Sequence, residues 1–171
     1  MALKLFAVLL GGNPPGSGTE VHDVVFAVGE RIEDTYDQLR AAWFAPGKAP
    51  HIDSWMELEV VDRARIVLAT EPMEPGQPDL WHVHLGFYEA GTHVFQEGHE
   101  NRFVVAADAA AAKVRAKQLA NRTSIQSLHT DAINRVSDRL AAAGSDFRVR
   151  LISTEEVETP VAHDGYRPFA G

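Results

Sequence analysis

EVHDVVFAV at residues 20–28 and EGHENRFVV at residues 97–105 share the pattern Glu-x-His-acid-x-x-Phe-x-Val. Two shorter matches flank them in the same order: Leu-Gly at residues 10–11 and 85–86, and His-x-Asp at residues 51–53 and 129–131. Self-similarity of this kind is the sequence signature of a repeated structural unit. The three collinear matches therefore predict that the chain is an internal duplication.

A proline-rich segment, EPMEPGQP at residues 71–78, separates the two matching regions. Proline can neither continue a helix nor lie in a central strand. The predicted organisation is a first unit (residues 1–71), a junction (72–79), a second unit (80–157) and an irregular tail (158–171). Each unit is close to the size at which a lone core is marginal, so we expect both to pack as one structural domain.

Hydrophobic patterning predicts two strands, a helix and one or two further strands in each unit. The first two strands are expected at residues 4–10 and 21–28 in the first unit, and at 80–87 and 101–106 in the second. A helix should begin near Glu30 and end before Pro46, and its counterpart should be capped by Asp108. Later strands are expected in a hairpin around Asp62-Arg63 and at residues 147–152, whereas residues 131–143 fit strand or helix.

Short loops between neighbouring strands favour antiparallel pairing. The predicted fold class is therefore α+β, with two pseudo-symmetric repeats of strand-strand-helix-strand(-strand), mostly antiparallel sheet and helices on one face. A ferredoxin-like arrangement is the main alternative topology.

Alternation along the strands indicates which repeated polar side chains share a face. Glu and His of each Glu-x-His motif point the same way, and so do His and Asp of each His-x-Asp motif if it is extended. The candidate binding residues are Glu20, His22, His51 and Asp53 in the first unit, and Glu97, His99, His129 and Asp131 in the second.

Imidazole with carboxylate suits Zn, Fe or Mn, and also general acid–base chemistry. In a metal site, the histidine ligands would be His22, His51, His99 and His129. The competing interpretation is that each His–carboxylate set braces its unit through hydrogen bonds, and duplication favours this because folding constraints act on both copies. Asp53 and Asp131 could also cap the turns that follow them.

A second arrangement of histidines lies on the strand at residues 80–87. His82, His84 and Glu89, preceded by Gly76, match most of the first cupin motif, in which a strand presents two His and a Glu to a metal. The closing glycine falls on Gln96, and no second motif follows. A cupin-type metal site is therefore an alternative that the incomplete motif disfavours.

The composition excludes several classes of partner and chemistry. The formal net charge is −8, which disfavours nucleic acid and anionic membranes as partners. Cysteine is absent, so disulfides, thiolate metal sites and thiol nucleophiles are excluded. The apolar run at residues 5–10 is shorter than the hydrophobic region of a signal peptide. We therefore expect a cytoplasmic protein.

The repeated motifs together resemble an uncharacterised bacterial family that carries a domain of unknown function (1543), typically in two copies. The residues that carry the resemblance are LLGG (9–12), EVHDVVFAVGE (20–30) and HID (51–53), with GFY (86–88), HE (99–100) and HTD (129–131) in the second unit. The resemblance covers nearly the whole chain up to about Ile152. The family pattern often has Gly where this chain has Arg63 in the Val-Asp turn. The resemblance implies a duplicated α+β domain and no activity.

Two functions remain open from the sequence. The lack of a complete catalytic motif favours a non-catalytic cytoplasmic module that binds a small molecule or self-associates, for example as a homodimer. The alternative is a metal-dependent hydrolase that uses the repeated Glu/His/His/Asp sets. The sequence does not decide whether the protein is an enzyme.

Overall fold

The computed structural model describes residues 2–74, 76–91, 95–120, 123–157 and 160–169. Within these residues the first part of the chain forms β1 (Lys4–Gly12), β2 (Val21–Gly29), α1 (Tyr36–Ala42), β3 (His51–Glu57), β4 (Val60–Val61) and β5 (Ala64–Ala69). The rest forms β6 (Asp79–Glu89), β7 (Gly98–Ala106), α2 (Ala109–Ala120), β8 (Ile125–Arg135), α3 (Val136–Ala142), β9 (Arg148–Ser153) and β10 (His163–Pro168).

The strands of the described residues form three sheets, in which every strand pair is antiparallel. The first sheet has the order β10-β3-β1-β2, the second sheet β7-β6-β8, and the small sheet β4-β5-β9. The expected mixed α+β fold with mostly antiparallel sheet is therefore confirmed. In the small sheet, β9 from the predicted second unit is hydrogen-bonded to β5 from the first.

The inner faces of the first and second sheets share one apolar core. Residues from both sheets, the small sheet and α3 meet there, including Leu5, Phe26, Leu80 and Leu140. The ring of Phe26 packs edge-on against that of Phe103, with centroids 6.1 Å apart. Burying one such Leu or Phe side chain contributes about 2 kcal/mol, so this core holds the sheets together.

Helices α1 and α2 each cover the outer face of one sheet. Leu39 of α1 packs with Phe6, Val8 and Ile52 of the first sheet. On the second sheet, α2 buries Ala112, Ala116 and Ala120, whose small side chains allow close approach. Asp108 accepts a 2.8 Å hydrogen bond from the Ala111 N–H, which confirms the expected N-cap. No described helix is long and apolar enough to cross a bilayer.

Residues 131–143, which fit either strand or helix, are divided between the two. Strand β8 continues to Arg135, and α3 follows at once, burying Val136 and Leu140. The helix ends at Ala142, and Gly144 follows two residues later with a φ of 81°, which suits glycine. The expected Asp62-Arg63 hairpin is also present, and both turn residues have positive φ (50° and 60°), as in a type I′ turn.

The expectation of an irregular tail from residue 158 is wrong for the part of it that forms β10. This strand pairs with β3, which would otherwise present an unpaired edge. Its glycine and proline made the sequence look irregular, but an edge strand tolerates both. The imidazole of His163 stacks on Trp55, with ring centroids 4.1 Å apart.

Candidate functional site

Four of the predicted site residues meet beside Gly11 at one end of the first sheet. In the strand registers, Gly11 lies opposite His22 on β2 and opposite His51 on β3. The register on β3 jumps from Ser54 to Ile52, so Asp53 is the extra residue of a β-bulge. A bulge re-aims a side chain, which here brings Asp53 next to the two histidines. We call Glu20, His22, His51 and Asp53 the first cluster.

Nitrogen and oxygen atoms of the first cluster lie close together. Nε2 of His51 is 2.8 Å from Oε1 of Glu20 and 3.1 Å from Oδ1 of Asp53. Nε2 of His22 is 3.1 Å from Oδ2 of Asp53. The His51 side chain is only 12% exposed, whereas that of His22 is 46% exposed. One histidine therefore forms the floor of the cluster, and the other stands at its rim.

One oxygen of the first cluster lacks a hydrogen bond. Oδ2 of Asp53 is buried and has no hydrogen-bond partner among the described residues, although Nε2 of His22 is 3.1 Å away. The distance allows an attractive contact, but the geometry is not that of a hydrogen bond. A buried carboxylate oxygen without a hydrogen bond is costly, so this oxygen is a candidate ligand atom.

Gly11 has no room for a side chain. A Cβ atom there would overlap Oδ2 of Asp53 and lie 2.8 Å from Nε2 of His51 and 3.0 Å from Oε1 of Glu20. The absence of a side chain thus allows the three donor atoms to converge over the strand. This is a requirement for space, because φ at this glycine is not positive.

Glu97, His99, His129 and Asp131 meet in the same manner beside Gly86 of the second sheet; we call them the second cluster. Gly86 lies opposite His99 on β7 and His129 on β8, and Asp131 of β8 is skipped in the register with β6. Nε2 of His129 is 2.9 Å from Oε1 of Glu97 and 3.2 Å from Oδ1 of Asp131. A Cβ on Gly86 would lie 2.6 Å from Nε2 of His129.

His99 completes the second cluster at longer range. Its Nε2 is 3.4 Å from Oε2 of Glu97 and 3.6 Å from Oδ2 of Asp131. The charge of Glu97 also raises the pKa of the nearby Tyr88 phenol. The second cluster is therefore somewhat more open than the first.

The backbone orients His129 for contact through Nε2. Its Nδ1 donates a 2.7 Å hydrogen bond to the carbonyl of Ser127, a residue with a φ of 52°. This bond, followed by the charges of Asp131 and Glu97, raises the pKa of the His129 imidazole. In the neutral imidazole, the hydrogen is on Nδ1 and Nε2 carries a lone pair that faces the carboxylates.

Sequence reasoning assigned neither His84 nor Asn101 to the second cluster. His84, His99 and Asp131 each offer a donor atom, and these atoms lie within 4.8 Å of one another. The rings of His84 and His99 stack with centroids 5.0 Å apart and an interplanar angle of 10°. The signal was the His82-x-His84 alternation, which the sequence linked to a cupin motif.

His82 has a different environment from His84, although both side chains are on the inner face of β6. The His82 residue is 4% exposed, and its ring lies 5.9 Å from that of Phe26 and 5.5 Å from that of Phe103. Burial lowers the pKa of His82 to about 4. His82 is therefore part of the apolar core, whereas His84 lies beside the second cluster.

Both clusters border one cleft between the inner faces of the two larger sheets. The cleft has a volume of about 490 Å³ and is lined by Glu20 and His22 on one side and by His84, His99 and Asn101 on the other. The apolar side chains of Leu9, Val24 and Ala132 also line it. A cavity of this size accommodates a small molecule.

The first cluster also borders a second cavity, of about 630 Å³, at the outer side of His51. Tyr166 of β10 lines it and lies over the imidazole of His51, with ring centroids 4.3 Å apart. Sequence reasoning missed this contact because it expected the tail to be irregular.

All eight predicted site residues thus fall into two clusters, four in each. The structure brings the Glu-x-His and His-x-Asp motifs of each group together, whereas the sequence contained no evidence that the two groups would face a common cleft.

Comparisons with known proteins reveal likenesses to a family model and to solved structures. A family model described as Domain of Unknown Function (DUF1543) matches residues 17–68, the segment that supplies the whole first cluster. The chain is also similar to the crystal structure of a protein Il1583 from Idiomarina loihiensis, at 29% sequence identity. That alignment covers 99% of this chain and 100% of the other, with a TM-score of 0.71. No curated protein matches the chain. These likenesses support a mixed α+β fold and indicate no activity.

Proposed function

We propose that this protein binds a small molecule in the central cleft with the help of divalent transition-metal ions, one held in each cluster. The observation that carries the proposal is the convergence of one histidine Nε2 and two carboxylate oxygens over a glycine: His51 over Gly11, and His129 over Gly86. Zn, Fe and Mn are the ions whose ligand preferences this mixed donor set fits.

The spacing of the donor atoms supports this assignment. Two donors about 2.1 Å from one ion are about 3.0 Å apart at right angles and about 3.4 Å apart at the tetrahedral angle. In the first cluster the nitrogen–oxygen distances are 2.8 to 3.1 Å, and in the second 2.9 to 3.6 Å. Both sets therefore match the edges of a coordination polyhedron.

Charge supports the same conclusion. Each cluster has two carboxylates, and its histidines carry no charge when they are deprotonated. A divalent cation would balance the carboxylates and would give Oδ2 of Asp53 the partner that the described residues do not supply. At His129, the Ser127 carbonyl favours the tautomer whose Nε2 lone pair can bind metal.

We further propose that the two clusters are copies of one ancestral site. Each has a central glycine, a Glu-x-His at the start of one neighbouring strand, and a His-x-Asp with its Asp at a bulge on the other. A pseudo-twofold relation between the two units would explain why both face the same cleft.

A metal-dependent hydrolase is the second candidate. It is favoured by the exposure of His22 (46%) and His99 (44%), which leaves the cleft side of each cluster accessible. A catalytic metal needs such an open position for water or substrate. Turnover of small esters or phosphoesters by the metal-loaded protein, lost on chelation, would establish it.

Metal analysis of untagged protein tests the proposal. We expect up to two equivalents of Zn, Fe or Mn, reduced to about one by His51→Ala or by His129→Ala and lost in the double variant. Protein that stays metal-free, and takes up none of these ions on titration, would overturn the proposal. A fall in thermal stability without metal binding would then identify the clusters as braces made of His–carboxylate hydrogen bonds.

A further inference from the structure

The two clusters differ at one position that borders the cleft. His84 lies two residues before Gly86 on β6, and Leu9 lies two residues before Gly11 on β1. Opposite them in the antiparallel registers are Asn101 on β7 and Val24 on β2. All four side chains line the central cleft. A polar cross-strand pair in the second sheet thus occupies the place of an apolar pair in the first.

Asn101 determines which nitrogen of His84 carries the hydrogen. Oδ1 of Asn101 is 2.8 Å from Nδ1 of His84 and 2.8 Å from Nε2 of His82. A carbonyl oxygen only accepts, so both ring nitrogens must donate to it. The hydrogen of neutral His84 is then on Nδ1, which leaves the lone pair on Nε2.

The second hydrogen bond to Asn101 keeps its amide in this orientation. His82 is buried between Phe26 and Phe103, so its ring is held in place and its donor is directed at Oδ1 of Asn101. Such a fixed partner orients a ligating imidazole and raises its affinity for metal. The stacking of His84 on His99 places the two imidazoles face to face next to Asp131.

From this geometry we infer that His84, oriented by Asn101, is an additional metal ligand that makes the second cluster a three-imidazole centre and the first a two-imidazole centre. The inference rests on the proposed metal binding. Imidazole favours Zn, Co, Ni and Cu, whereas carboxylate oxygens favour Mn and Mg. The second cluster should therefore bind Co²⁺ more tightly than the first, and the first should be the better Mn²⁺ site.

The test begins with the His51→Ala protein, in which only the second cluster remains complete. Co²⁺ is titrated into the chelator-treated protein, and binding is followed by calorimetry and by visible absorption. In this background we expect His84→Leu, which installs the residue of the first cluster, to weaken Co²⁺ binding by at least about tenfold and to change the absorption band. Unchanged affinity and spectrum would overturn the inference while leaving the proposed function intact.

Two variants of Asn101 separate its effect on the orientation of the His84 ring from an effect on the stability of the fold. Asn101→Val removes the acceptor and should weaken Co²⁺ binding by about 10- to 100-fold, whereas Asn101→Asp keeps an acceptor and should restore most of the affinity. Equal binding by both variants would contradict a positioning role. Thermal melts of each metal-free variant identify those that have not folded.

A readout without metal distinguishes failure of this inference from failure of the proposed function. The ¹⁵N shifts of His84 in the metal-free protein should report hydrogen on Nδ1, and the opposite tautomer would refute the orienting role of Asn101. If the wild-type protein binds no Co²⁺ at all, the proposed function fails as well, whichever tautomer is observed.

Discussion

Gly11 lies directly beneath the carboxylate of Asp53, so that a Cβ atom on the glycine would overlap Oδ2 of the aspartate. The same hypothetical atom would be 2.8 Å from Nε2 of His51. The strand that separates the two halves of the first cluster therefore has to lack a side chain at this one point. The relationship makes Gly11 part of the candidate site, although it offers no side-chain donor.

Gly11→Ala should disrupt the first cluster and leave the second intact. The added methyl group displaces Asp53 and His51, so we expect Zn²⁺ affinity at the first cluster to fall by at least about tenfold, the effect of disturbing the support of a metal ligand. Isothermal titration calorimetry would show one of two binding events weakened. Gly86→Ala should give the reverse pattern.

Gly18→Ala is the matched control for these glycine substitutions. A Cβ at Gly18 meets no atom within 4 Å, and its φ is not in the left-handed region. We expect its Zn²⁺ binding to equal that of the parent. A Gly11→Ala protein that binds two ions as tightly as the parent would contradict the role assigned to Gly11.

His82 should make the stability of the protein depend on pH. Its folded pKa of about 4 lies below the reference value of 6.5, chiefly because the ring is buried. The Asn101 hydrogen bond raises the pKa, His84 and Arg139 lower it, and Asp23 raises it. Between pH 4 and pH 6.5 the imidazole of His82 binds a proton in the unfolded chain but not in the folded protein. The contribution of neutral His82 to the stability of the fold is therefore complete above pH 6.5 and is lost progressively as the pH falls toward 4.

Denaturant unfolding at pH 7.5 and pH 5, in the presence of a chelator, measures this effect. At about 1.4 kcal/mol per pH unit, His82 alone should reduce the free energy of unfolding by about 2 kcal/mol over this interval. His82→Leu should remove that part of the decrease. If parent and variant lose the same stability between the two pH values, His82 is not the group responsible.

Arg63→Gly should stabilise the β4–β5 hairpin. Arg63 has a φ of 60° in a turn that favours glycine at this position, and its side chain is exposed. Relieving a left-handed backbone at a residue with a Cβ is worth about 1 kcal/mol, offset in part by the greater freedom of glycine in the unfolded chain. We therefore expect a rise in the unfolding free energy of about 0.5 kcal/mol, read from thermal or urea denaturation. A decrease would show that Arg63 makes a compensating interaction.

Asp62→Gly should have the opposite sign, although it affects the same turn. Oδ2 of Asp62 accepts a 3.0 Å hydrogen bond from the backbone N–H of Val105 on edge strand β7, and Oδ1 is 2.7 Å from Nη2 of Arg115. Glycine retains the positive φ but removes this hydrogen bond, which costs about 0.5 to 1.5 kcal/mol, and it removes the ion pair with Arg115 as well.

Arg115→Met provides the comparison for the Asp62 variant. The guanidinium is 46% exposed, and such an ion pair contributes about 1 kcal/mol or less. We expect the loss of stability from Asp62→Gly to be clearly larger than that from Arg115→Met. Equal losses would mean that the ion pair, and not the hydrogen bond to Val105, carries the contribution of Asp62.

Local patterns in the sequence determined much of the candidate site. Alternation along a strand has a period of two, so the spacing of Glu20 and His22 already placed both on one face. The repetition of the motifs identified the four residues of each cluster, and the Asp108 cap and the Asp62-Arg63 turn followed from short-range backbone preferences.

The tertiary structure decided what local spacing cannot encode. Strand order placed β1 between β2 and β3, and only this order brings Glu20 and Asp53 together over Gly11. The bulges at Asp53 and Asp131, the pairing of β10 with β3 and the approach of His84 to Asp131 all depend on contacts between residues distant in sequence. The sequence determined which side chains share a strand face, because that geometry is local; only packing of the two larger sheets decided that both faces open on one cleft.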